Sequence, residues 1–311
     1  MFCCSKGTEE MKLTYIYVDS ESFTYCGWEH RVHEILQNDL DINVFPVPIH
    51  RCNREGRFPV PKEADVIFCS NPLTLEIAVE YKKRLNKLLV LQFLDIPIEL
   101  FGSEQWRIQA YDRVKPLVKY ADYLIAISKF TARQVEEWCG RKAHVLYIGC
   151  DADLFEIGKI RDLGYAVTVP RGLAKQKNYQ EAIEITKDIV PLRVVYGQYS
   201  DIAKARIIKS CSFGIHTSRF EGFCIPVVEF CVARKPVIVR SLPVIEEIHK
   251  ANKGVIIYND VEEARRHITE LMNNPSLRRK MGILGQKYVR EKGLTLQQYA
   301  KNLKSFLESI I

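Results

Sequence analysis

The chain has 311 residues, 47% of them hydrophobic and 27% charged, which is soluble-globular composition and enough length for two domains with cores of their own. No apolar run reaches the roughly 18 uncharged residues of a membrane span, and the opening MFCCSKGTEEMKL turns polar too soon for a secretory signal, so a cytoplasmic protein is expected. The net charge of +7 comes without a basic run interleaved with aromatics and without finger or homeodomain spacing, so no nucleic acid partner is expected.

Short apolar runs alternate with helical patterns along most of the chain. In the first half, residues 12–18, 42–45, 65–70, 87–93, 122–127 and 144–148 read as strands. Between them, 28–38, 73–85, 104–120 and 129–139 read as helices. The second half continues with strands at 165–169, 192–196, 213–217, 236–239 and 254–258, separated by helices, and ends on helices at 261–273, 276–291 and 295–309. Near-continuous apolar strands between helices predict parallel sheet buried on both faces. The pattern breaks at GCDADLFEIGKIRDLG, which places a domain boundary near 155. Two such domains in tandem leave a cleft at the C-terminal ends of their sheets, where ligands of these folds bind.

Charge divides with the domains. Residues 1–150 hold 19 Lys/Arg against 20 Asp/Glu, and residues 151–311 hold 26 against 18. A basic second half suits an anionic ligand, and a solvated basic surface reads equally well on charge alone. Of the ten cysteines none falls in a CxxC pair or a Cys/His cluster of zinc spacing; Cys69, Cys211, Cys224 and Cys231 lie in apolar segments as small buried hydrophobes.

The chemistry concentrates between His216 and Val239, which reads strand, loop, helix, strand. Pro226 suits a first helical turn, placing Glu221 in the loop before the helix and Glu229 in that first turn. Gly222 lets backbone approach a ligand, and the free N–H groups of a helix start attract anions. Two carboxylates eight apart can accept hydrogen bonds from sugar hydroxyls; they also describe a surface acid followed by a capping acid. Spacing alone leaves both open.

The surrounding letters add a resemblance. EGFCIPVVEFCVARKPVIV resembles the segment EGFGxPxxEAxAxGxPVI of retaining glycosyltransferases of family 4, which have the GT-B fold. ADYLIAISKFTARQV with HVLYIGCDADLF, RGLAKQKNYQEAIE, the C-terminal NNPSLRRKMGILGQKYVREKGLTLQQYA and the early CGWEHRVHEIL are similar to further segments of that family, in the same order. The resemblance implies an α/β GT-B protein with a shortened C-terminal domain. Residues 1–155 would be a Rossmann-like acceptor-side domain, 156–294 the Rossmann-like donor domain, and 295–311 a helix returning to the first. It implies transfer of a hexose from a UDP- or GDP-sugar, with retention, to a hydroxyl of a glycan, lipid or protein. The nucleotide sugar is a co-substrate, and no cofactor or metal is implied.

Carried over by position, Arg171 and Lys177 would grip the donor diphosphate, Glu229 the ribose, and Glu221 the transferred sugar beside the Gly222 and Phe223 amides. Gly27 would lie near phosphate and acceptor. Asp151-Ala152-Asp153 looks like a metal-binding DxD but coincides with the family's interdomain turn, so a structural role is expected. The sequence departs from the pattern in three places. Pro170 replaces a glycine; LQFLDIPIELF carries no histidine beside the reacting carbon, leaving Asp95 as the nearest polar candidate for that catalytic place or, equally, as a cap to a turn before Pro97; and too few residues separate Asn178 from Glu221 for the usual βα units. A non-catalytic nucleotide- or carbohydrate-binding module on a degenerate scaffold is the alternative. Anionic lipid at a membrane periphery is a further candidate contact for the basic half.

Overall fold

Strands that must be buried on both faces can only be satisfied inside a layered α/β unit, and the computed structural model contains two. It describes residues 10–19, 28–97, 105–156, 158–170, 175–196 and 199–311. The first sheet contains β1 (Lys12–Tyr17), β2 (Asn43–Pro48), β3 (Val66–Cys69), β4 (Leu88–Phe93), β5 (Tyr123–Ala126) and β6 (His144–Val145), in the order β2-β1-β3-β4-β5-β6. The second contains β7 (Ala166–Thr168), β8 (Leu192–Val194), β9 (Phe213–His216), β10 (Val237–Arg240) and β11 (Val255–Tyr258), in the order β11-β10-β9-β7-β8. Every pairing is parallel. Pro46 and Pro48, which cannot donate to a ladder, are tolerated because β2 is an edge strand.

Around the first sheet lie α1 (Trp28–Asn38), α2 (Ile49–Glu55), α3 (Leu75–Leu85), α4 (Gln105–Val114) and α5 (Lys129–Cys139). The second sheet carries α6 (Ala152–Glu156), α7 (Tyr179–Thr186), α8 (Asp201–Ser210), α9 (Ile225–Val232), α10 (Pro243–His249), α11 (Val261–Asn273) and α12 (Pro275–Lys292). Finally α13 (Leu296–Glu308) packs back on α1 of the first unit. Leu296, Tyr299, Ala300, Leu303 and Leu307 form its buried stripe at helical spacing, and the Tyr299 hydroxyl donates to Gln92 on β4. At about 2 kcal/mol for each large apolar side chain removed from water, that stripe stabilises the return by several kcal/mol.

The chain passes between the units twice, and the two passages touch. Leu296 N donates to Cys150 O at 2.9 Å, and Cys150 pairs with Thr295 as an isolated bridge. A Cβ on Gly149 would lie 2.1 Å from the Leu294 carbonyl, so only glycine admits this crossing. Asp151 receives Arg31 Nε at 2.9 Å and Gln297 Nε2 at 3.4 Å, which ties the same crossing to α1 and α13.

Two expectations change in detail, and one helix is unforeseen. The strand expected at 144–148 ends its ladder at Val145. The helix expected over 104–120 is α-helical only to Val114 and continues as a 3₁₀ turn, Lys115–Tyr120, because Pro116 lacks an N–H to donate. Helix α2 lies in a stretch, IHRCNRE, too short and polar to show periodicity; Gly56 at φ 66 caps it. Among the described residues no helix is long and apolar enough to cross a membrane. The seven described cysteines are free; burial pushes the thiols of Cys69, Cys211 and Cys231 up to about 12.

One core group sets an acid limit on stability. His249, 1% exposed, keeps an Nε2 with no hydrogen-bond partner among the described residues, and burial holds its pKa down at about 3. The unfolded chain binds this proton below about pH 6.5 while the folded chain does not, so stability is lost as pH falls through that value toward 3. Between pH 7.5 and pH 5 the loss is expected to be about 2 kcal/mol from this residue alone. Urea unfolding of wild type and His249→Gln at both pH values checks it; the same acid loss in both proteins would rule His249 out.

Candidate active site

Strand β9 is interior to the second sheet, and the eight residues that follow it, 217–224, lead to α9. Cys224 precedes the helix at φ 75, a left-handed conformation that costs a non-glycine residue about 1 kcal/mol or more. Pro226 occupies the first turn, as expected from sequence. This loop meets the first unit directly. A Cβ on Gly222 would stand 1.9 Å from Leu94 O and 3.3 Å from Asp95 Cβ, just past the end of β4. The Gly222 carbonyl accepts from Ser128 Oγ at 2.7 Å and Thr131 Oγ1 at 3.3 Å at the start of α5. Beside it, the Glu247 carboxylate from α10 accepts from the Lys129 and Phe130 amides at 2.8 and 2.7 Å, capping α5 at its positive end. The C-terminal ends of the two sheets therefore enclose the loop.

Lys177 enters from the other side. It closes a 3₁₀ turn, Lys175–Lys177, before Asn178, which takes φ 47. Thr217 Oγ1 donates to Asn178 O at 2.9 Å, and Arg219 N to Gln176 O at 2.8 Å, so the turn is sewn to the loop after β9. Behind it Asn178 Nδ2, Arg240 and Tyr258 all donate to the buried Glu181 carboxylate at 2.6–2.9 Å. The result is a fixed ammonium: Lys177 Nζ reaches Glu221 Oε1 at 2.7 Å, with both side chains only 13% exposed. His216 Nε2 stands 3.2 Å from the same oxygen. Burial alone would raise the Glu221 carboxyl; the Lys177 ammonium, then His216, outweigh it and hold the group well below the usual carboxylate range.

Glu229 forms the second centre. The helix begins at Ile225, so Glu229 lies one turn deeper than the first-turn position expected from sequence. Its Oε1 accepts from Lys204 Nζ of α8 at 2.7 Å, and Lys204 also pairs with Asp201 at 3.2 Å. Its Oε2 is buried with no hydrogen-bond partner among the described residues. A carboxylate oxygen fixed and left open in this way is an acceptor for a ligand hydroxyl.

The expected site residues thus divide. Lys177 and Glu221 are brought into contact, Gly222 abuts Leu94 and Asp95, and Glu229 lies on the same helix start. Asp95 is held by Arg107 at 2.5 Å. The Phe223 side chain is core, 2% exposed, which leaves only its backbone to a ligand. Arg171 and Gly27 lie outside the described residues. Sequence reasoning missed three participants. His216 was hidden in a strand, Lys204 in an unremarked helix, and Arg107 beyond Asp95; only the polar His216 closing the apolar FGI run offered a local signal. Among the described residues one cluster could hold a metal, His216, Glu221 and Cys224, with ligand atoms within 4.8 Å of one another.

Residues 172–288 match the family described as glycosyl transferases group 1. An uncharacterized glycosyltransferase of Methanocaldococcus jannaschii is 27% identical over 228 residues, covering 63% of this chain; the chain spans 64% of that relative's length. Among solved structures, a sucrose-phosphate synthase from Thermosynechococcus elongatus superposes with TM-score 0.75 at 11% identity, covering 97% of this chain and 99% of that one. HepE of Anabaena in complex with UDP-glucose does so with TM-score 0.75 at 14% identity, covering 96% and 100%. The architecture is that of the GT-B glycosyltransferases: two facing Rossmann-like α/β domains.

Proposed function

We propose that this chain, with a glycosyl transferases group 1 domain on a GT-B scaffold, is a metal-independent retaining glycosyltransferase. It would move a hexose from a UDP- or GDP-sugar to a hydroxyl of a glycan, lipid or protein. One observation carries the reading: two carboxylates, the buried Glu229 and the largely covered Glu221, each fixed by a lysine, flank a helix start where the two sheets meet. Glu229 Oε2, buried and open, suits a ribose hydroxyl. Glu221 suits the hydroxyls of the transferred sugar. Lys177, with Arg171, would hold the diphosphate and stabilise charge on its oxygen as the glycosidic bond breaks. The acceptor then approaches on the face the phosphate leaves, its proton passing to that phosphate, and configuration is kept. The relative's name supports glycosyl transfer, and the UDP-glucose bound by HepE supports a nucleotide-sugar donor. The basic second half is in keeping with an anionic one.

The test is a panel of UDP- and GDP-sugars followed by calorimetry and by nucleotide release with and without acceptor extracts. One donor class is expected to bind and turn over, and Glu229→Ala to weaken it about tenfold or more through loss of a charge-assisted hydrogen bond. Tight binding with no release for any donor would favour a non-catalytic binding module instead.

A further inference from the structure

We propose that His216, Glu221 and Cys224 form a binding site for a soft divalent cation, zinc above all, and that metal and donor exclude one another there. Their imidazole, carboxylate and thiol ligand atoms all lie within 4.8 Å of one another. His216 is 3% exposed, and its Nε2 has no hydrogen-bond partner among the described residues; the 3.2 Å approach to Glu221 lacks hydrogen-bond geometry. A buried ring nitrogen within 4.8 Å of a carboxylate and a thiol, with no hydrogen-bond partner among the described residues, is a ligand lone pair or an N–H left open.

The donor set selects the ion. Bonds of about 2.0–2.3 Å from a tetrahedral zinc put its ligands about 3.5 Å apart, so modest side-chain rotations close the cluster and leave the fourth position to water. Thiolate with imidazole favours zinc or copper(I) over magnesium or calcium. As the metal–sulfur bond forms, the Cys224 proton passes to solvent. The position itself is unusual, since at φ 75 glycine is the least strained residue and the chain nonetheless carries a cysteine.

Lys177 opposes the metal. Its ammonium holds Glu221 at 2.7 Å and must swing away on its flexible stem before a dication can enter. Metal and ammonium therefore compete for one carboxylate. Exclusion of the donor rests on the proposed role of Glu221 toward the sugar; the metal site does not.

The experiment titrates the full chain with Co²⁺ as a spectroscopic probe and displaces it with Zn²⁺. Wild type is expected to develop a thiolate-to-cobalt charge-transfer band that zinc bleaches. Cys224→Gly, which suits φ 75 and should fold, is expected to lose that band and at least tenfold in zinc affinity. Lys177→Gln is expected to tighten zinc at least tenfold while weakening UDP-glucose, opposite signs that a merely structural lysine would not produce. No band in wild type overturns the site; the same band in Cys224→Gly also overturns it and assigns the bound metal to other cysteines. Zinc affinity unchanged under saturating UDP-glucose overturns the exclusion. Should no sugar nucleotide bind wild type, the donor reading fails, and the cobalt band still judges the site.

Discussion

Lys177→Met is expected to lower kcat about 10²–10³-fold, the cost of removing one fixed donor from a developing oxyanion. The reasoning starts from position. Asn178, Thr217, Glu181 and Arg240 hold the turn that carries Lys177, so its ammonium needs no reorganisation when charge appears on a leaving phosphate. Lys177→Arg is not expected to restore the rate, because a planar fork replaces a compact charge in a pocket where the lysine is 13% exposed. The substitution also leaves Glu221 buried with one cation fewer. The lysine helps hold that carboxyl below its ordinary value of 4.5, so the pair's contribution to stability is complete above that pH and is lost as pH falls through the lower folded value. In Lys177→Met the carboxyl titrates upward and a stability loss of about 1–3 kcal/mol appears at neutral pH. Steady-state kinetics and denaturant melts measure both. A kcat within threefold of wild type would remove Lys177 from the reaction.

Gly222→Ala is expected to cost about 100-fold in kcat/KM, the scale of a 1 Å misplacement of reacting groups. The new methyl would lie 1.9 Å from Leu94 O and 3.0 Å from its carbonyl carbon, and backbone cannot yield as a side-chain tip can. The loop must withdraw from the first domain, taking Glu221 with it and stretching the Ser128 and Thr131 bonds to the Gly222 carbonyl. Glu229 lies on α9 and Lys204 on α8, so affinity for the free nucleoside diphosphate should change much less than turnover of the intact donor. Parallel titrations with UDP and the UDP-sugar separate these effects. Equal losses for both ligands would mean that the substitution unfolds the site rather than shifting the loop.

Much of this is legible in the amino-acid sequence. Parallel strands covered on both faces must be apolar throughout, which is why VIFC, LLVLQF, YLIA and VIVR stand out as strands in the bare sequence. Pro226 carried the start of α9, because proline acts locally. Elements held only by their neighbours were not legible. Helix α2 has too few apolar residues to announce itself, and α9 begins early enough, at Ile225, to carry Glu229 into its second turn.

The sequence by itself determined two parallel α/β layers and the glutamate-bearing loop-to-helix segment that began the functional reading. These rest on periodicity, chain stiffness and helix-start chemistry, interactions a few residues long. Which groups face those glutamates was decided only by the tertiary structure. Lys177 is 44 residues from Glu221, Lys204 is 25 from Glu229, and Leu94 lies in the other domain. Their contacts depend on strand order, on helix packing and on how closely two backbones approach, and no local pattern in the chain records them.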